Sequence, residues 1–102
     1  MSTSESIVVT VDKDMQDLVP LFIKQREADI VSLAGAIAAG DHETMRRIGH
    51  SLVGAGASYG FHSVSEIGAA LEAAAKSHAD ADIAGALDAL KDYMARLVVQ
   101  YV

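Results

Sequence analysis

The 102-residue chain contains no cysteine and no tryptophan, a single proline, and only 5% aromatic residues. Without cysteine there is no disulfide frame, no thiolate nucleophile and no thiolate metal ligand. Hydrophobic residues still make up 51% of the chain, much of that alanine. A core built from small and medium aliphatic side chains favours closely packed helices over a sheet of β-branched and aromatic strands. Positive charge is also scarce: 8 Lys and Arg stand against 14 Asp and Glu, a formal net charge of −6, with a pI near 4.9. Such a chain is repelled by phosphate backbones and by anionic lipid, so neither nucleic acid nor membrane is expected as a partner. The most apolar stretch, around residues 30–39, falls well short of the about 20 residues that a bilayer demands. The start is polar and lacks a basic segment followed by an apolar one, so no signal peptide is expected. Length and an ordinary 22% of charged residues suit one soluble domain, expected in the cytoplasm.

Hydrophobic spacing and chain punctuation then lay out the elements. Residues 1–11 are expected to form an N-terminal tail or extended segment, and residues 12–102 a helical bundle. Ile7-Val8-Val9-Thr10-Val11 is strand-like, but no second strand-like run is evident to pair with it. Asp12 or Asp14 caps a short first helix that ends near Pro20. Proline opens the next helix, where its missing N–H costs nothing, and this helix runs to about Ala39. Gly40-Asp41 reads as a C-cap followed by an N-cap. The next helix spans about His42 to Tyr59 and is broken at Gly60. Ser63-Val64-Ser65-Glu66 has the form of a capping box opening a fourth helical segment, and Asp80 or Asp82 starts the last. That helix carries Ile83, Leu87, Leu90, Met94, Leu97 and Val98 as its stripe. The fold class expected is all-α, an antiparallel four-helix bundle with a short extra N-terminal helix.

His50 is the residue on which function turns. Winding its helix at about 100° per residue gathers Met45, Ile48, Leu52 and Tyr59, with Ala55 and Gly56, into one buried seam. His50 points the other way. Arg46 and Arg47 precede it on that outer face, and Val53, Gly54 and Ala57 follow it. A glycine inside a helix costs about 0.5–1 kcal/mol relative to alanine. Gly54 has no packing role to justify this, and its visible effect is to clear space over the imidazole. The other histidines, His42, His62 and His78, read as surface residues. No Glu-x-x-His pair supports a di-metal core. The carboxylates are scattered and largely explained as caps and first-turn residues, and no serine has an evident base.

The segment Gly49-His50-Ser51-Leu52-Val53-Gly54-Ala55-Gly56-Ala57-Ser58-Tyr59-Gly60-Phe61 resembles the signature of histidine-containing phosphotransfer (HPt) domains. That signature has leucine two, lysine three, glycine four and a second glycine ten residues after the histidine. Leu71-Glu72 and the helix after it are similar as well, and the resemblance covers about residues 12–100. It implies a four-helix bundle whose exposed histidine accepts a phosphoryl group from a receiver aspartate and passes it to another. His50 would then be the phosphorylated residue, Gly54 would leave room for the phosphoryl group, and Glu72 would help orient the ring. Val53, Gly54 and Ala57 would form a docking patch for a receiver helix.

Val53 departs from the pattern, because it stands where the family has lysine. Arg46 and Arg47, one turn earlier on the same face, would be the substitutes. The expected partners are response-regulator receiver domains, including that of a hybrid sensor histidine kinase. Mg²⁺ is expected on the receiver, with no cofactor or metal on this chain and a monomeric state. No nucleotide-binding loop is present, so a phosphotransfer intermediate rather than an enzyme is implied. Two alternatives stay open: a receiver-docking module of the same fold that transfers nothing, and a metal-binding bundle.

Overall fold

The computed structural model describes residues 5–102; the first four residues of the expected loose tail lie outside the described residues. Four helices take their bounds largely from local chain chemistry. Helix α1, Val19–Ala39, has Pro20 in its first turn and ends at Gly40, whose φ of 67° is readily adopted only without a Cβ. The Asp41 carboxylate then accepts the backbone N–H of Thr44 at 3.1 Å and its hydroxyl at 2.6 Å. Those two hydrogen bonds start α2, His42–Tyr59, and hold the Asp41 carboxyl below its usual pKa. Helix α2 stops at Gly60 with φ 82°. Helix α3 spans His62–Lys76 and α4 spans Asp80–Arg96, the latter with Asp80 and Asp82 in its first turn.

Three expectations need correction. The capping box of Ser63 and Glu66 does not form: α3 begins at His62, with Phe61 at the N-cap position and no side-chain cap. Burial sets this entry instead, since Phe61 is fully inaccessible and stacks on Phe22 with centroids 4.5 Å apart. The short extra N-terminal helix is only a three-residue 3-10 turn, Lys13–Met15, capped by Asp12. Finally, the last helix ends at Arg96, and Leu97–Tyr101 is a strand, β2. It pairs in parallel with β1, Ile7–Val11, so that Ile7 faces Leu97 and Val11 faces Tyr101. Ile7–Val11 therefore has its strand partner in Leu97–Tyr101. It was concealed because Leu97 and Val98 continue the spacing of Leu90 and Met94. The whole bundle serves as the crossover between these parallel strands.

Leu33, Leu52, Phe61, Val64, Leu71 and Leu90 form a fully buried centre, with Met45, Val19 and Ile83 around it. The tightest contact is between α2 and α3. A Cβ built on Gly49 would lie 2.7 Å from the Glu72 backbone nitrogen and 2.8 Å from the Gly68 carbonyl oxygen. One built on Gly68 would lie 2.7 Å from the Gly49 oxygen and 2.7 Å from the Leu52 Cβ. Only glycine at both positions allows this approach. Gly56 makes the same provision at the far end, against Ser65 and the Phe61 carbonyl.

Candidate functional site

The close α2–α3 crossing determines what meets His50. Gly49 immediately precedes the histidine, and Glu72 lies one turn beyond Gly68. The shared backbone contact therefore delivers the Glu72 carboxylate beside the imidazole. His50 Nδ1 is 3.3 Å from Glu72 Oε2, with the histidine side chain 75% exposed and the glutamate side chain 20% exposed. A half-buried carboxylate thus faces one ring nitrogen, while the rest of the ring stands in solvent.

The same carboxylate oxygen gathers two cations. Lys76 Nζ, one turn further along α3, is 3.8 Å away, and Arg46 Nη1 is 4.0 Å away. The two cations are held very differently. Glu43 grips Arg46 through Nε at 3.1 Å and Nη2 at 2.7 Å, which lowers the Glu43 pKa and raises that of Arg46. Lys76 has no such second partner among the described residues. Arg47 is exposed and donates to the Thr44 hydroxyl at 3.2 Å. It lines a recess between α1 and α2 with Asp29 and Ser32, away from the Glu72 carboxylate.

Beyond His50, a Cβ on Gly54 would meet nothing within 4 Å. No packing contact requires glycine there, in contrast to Gly49 and Gly68. Ala57 is exposed and Val53 half-buried, and the Val53 carbonyl accepts the Ser65 hydroxyl at 2.8 Å. Of the residues singled out from sequence, His50, Glu72 and Arg46 come together in one cluster. Val53, Gly54 and Ala57 border it, and Arg47 points elsewhere.

Sequence reasoning missed Lys76, although Glu72 and Lys76 stand at the i, i+4 spacing of a helical ion pair. It also missed the Gly49–Gly68 contact, for which two glycines on core-facing helix positions were the available signal. His42 is more than a surface residue. Its ring stacks on His78 at 3.8 Å and 3°, and its Nε2 is 2.9 Å from Asp80 Oδ1. Together they tie the start of α2 to the α3–α4 connection. Among the described residues, no group of three or more His, Asp or Glu side chains is placed to hold a metal ion. No described helix is long and apolar enough to cross a membrane.

Residues 17–100 match the family model described as Hpt domain. Neither the curated proteins nor the solved structures returned a match.

Proposed function

The chain belongs to the Hpt domain family, and on that premise we propose that His50 carries a phosphoryl group between the aspartates of receiver domains. Domains of this family are phosphocarriers in phosphorelays and interact with response-regulator receivers. The observation that carries the assignment of His50 is its exposed imidazole, with Nδ1 3.3 Å from Glu72 and open space over Gly54.

The chemistry follows from that geometry. A carboxylate beside Nδ1 favours the tautomer that keeps its proton there, which leaves Nε2 with the free lone pair. Nε2 attacks the phosphorus of the receiver's aspartyl phosphate in line. The new N–P bond forms as the P–O bond to the aspartate breaks, and that bonding pair returns to the carboxylate. The ring, still protonated at Nδ1, becomes a phosphoimidazolium cation facing the Glu72 anion. On transfer to an acceptor, a receiver carboxylate attacks the phosphorus and Nε2 departs as neutral imidazole. No proton has to enter or leave the ring in either direction.

Such a transfer demands alignment and charge neutralisation more than covalent help from the carrier. A Mg²⁺ ion bound by the receiver would supply much of the neutralisation. Gly54 and Ala57 would let the receiver bring its phosphoaspartate up to the ring, with Val53 part of the same contact. We further propose that the chain acts as a cytoplasmic monomer, its donor being the receiver of a hybrid sensor histidine kinase or a separate response regulator.

A second reading is favoured by Val53, which replaces the lysine of the family motif: the chain would dock receivers without accepting phosphoryl groups. Incubation with a ³²P-phosphorylated receiver separates the two. Acid-labile label that appears on the chain and disappears in His50→Gln supports transfer. A receiver that binds the chain but never labels it supports docking alone.

A further inference from the structure

We infer that Lys76 on α3 provides the positive charge that the family motif supplies from the position of Val53; the inference rests on His50 being the phosphoryl acceptor. Arg46, Arg47 and Lys76 are the candidates, and their surroundings separate them. The Arg46 guanidinium already serves two carboxylates, with Glu43 at 2.7 Å and 3.1 Å and Glu72 at 4.0 Å. Moving it toward a phosphoryl group would break a bidentate pair. Arg47 is turned toward Thr44 and the α1–α2 recess. Lys76 is 61% exposed and approaches Glu72 at 3.8 Å, beyond hydrogen-bonding distance.

Lysine also has the right mechanics for this task. Its ammonium is a point charge with three donors on a flexible four-carbon stem. It can leave Glu72 for a phosphoryl oxygen without disturbing a helix. Before transfer the Glu43, Glu72, Arg46 and Lys76 charges balance. A phosphoryl group at Nε2 adds close to two negative charges, and Lys76 is the cation free to move toward them. As Lys76 departs, the Glu72 carboxylate loses a competing cation just as the ring becomes positive, so its interaction with Nδ1–H strengthens. A lysine on the neighbouring helix thus stands in for the motif lysine on α2, joined to the histidine through the same carboxylate oxygen.

The test follows ³²P transfer from a phosphorylated receiver to the full chain and to Lys76→Met, Lys76→Arg and Val53→Lys/Lys76→Met variants. Thermal unfolding checks that each variant is folded. Loss of one charge-assisted contact to the phosphoryl group should slow Lys76→Met about tenfold and shorten the lifetime of the phosphohistidine. Lys76→Arg should keep most of the rate, and adding Val53→Lys to Lys76→Met should restore it. A labelled wild type with Lys76→Met equally fast overturns the inference while leaving His50 as the acceptor. So does a slow Lys76→Met variant that neither rescue improves, since the loss would then not be one of charge. A wild type that takes no label from a receiver able to charge another Hpt domain overturns the reading of His50 itself.

Discussion

One methyl group added at Gly68 probes the packing that brings Glu72 to His50. The new Cβ of Gly68→Ala would lie 2.7 Å from the Gly49 carbonyl oxygen, 2.7 Å from the Leu52 Cβ and 2.8 Å from the Val53 nitrogen. None of these atoms is the end of a flexible side chain, so α2 and α3 must part to admit it. Overpacking of this kind costs about 1–3 kcal/mol. Alanine's better helix propensity returns about 1 kcal/mol. The balance is a loss of about 0–2 kcal/mol, and each kcal/mol lowers Tm by roughly 4–8 °C in a domain of this size. The opposite sign is expected at Gly54, where an added Cβ meets nothing within 4 Å. Gly54→Ala keeps the propensity gain of about 0.5–1 kcal/mol and should raise Tm. Thermal unfolding followed by far-UV circular dichroism reads both, with Gly35→Ala and Gly85→Ala as controls at equally open helix positions. A Gly68→Ala variant that gains stability as the open-position controls do, or a Gly54→Ala variant less stable than the wild type, would contradict this packing.

Three further outcomes follow from the same contacts. Gly54→Leu should fold with an unchanged far-UV spectrum yet lose labelling by a phosphorylated receiver, because its side chain fills the approach to the imidazole; normal labelling would show that this space is not needed. Ser65→Ala removes the donor to the Val53 carbonyl and should cost about 1 kcal/mol in a denaturant titration, whereas no loss would show that water replaces the bond. Asp41, whose carboxyl pKa is lowered from 3.8 by the Thr44 hydrogen bonds, stabilises the fold at pH values above 3.8. Its contribution is lost as the pH falls through the lower folded-state value. The Tm gap between wild type and Asp41→Ala should therefore be full at pH 7 and shrink in acid; a gap that widens in acid would contradict the assignment.

What could be read from the chain alone was what is decided locally. Gly40 and Asp41 end one helix and start the next through bonds spanning a few residues, and Gly60 acts in the same way. The outward direction of His50 required only helical periodicity. Features decided by distant parts of the chain were not legible. Phe61 enters α3 under Phe22 of α1, and this burial overrides the local cap signal at Ser63. Leu97 and Val98 keep helical spacing, yet pairing with β1 at the other end of the sequence makes them a strand. The approach of Glu72 to His50 depends on Gly49 and Gly68 meeting across two helices, which neither glycine reveals alone. The family resemblance pointed to Glu72, while Lys76 emerged only once its neighbours were visible.

The central claim is that His50 carries phosphoryl at Nε2 while Glu72 holds the proton on Nδ1. ¹⁵N and ³¹P NMR of the receiver-phosphorylated chain, labelled in its histidine rings, tests this directly. Phosphorus coupled to Nε2 of His50 with Nδ1 protonated is expected, with a weaker Nδ1 proton signal in Glu72→Ala. Phosphorus on Nδ1, on His42, His62 or His78, or on no histidine at all would contradict it.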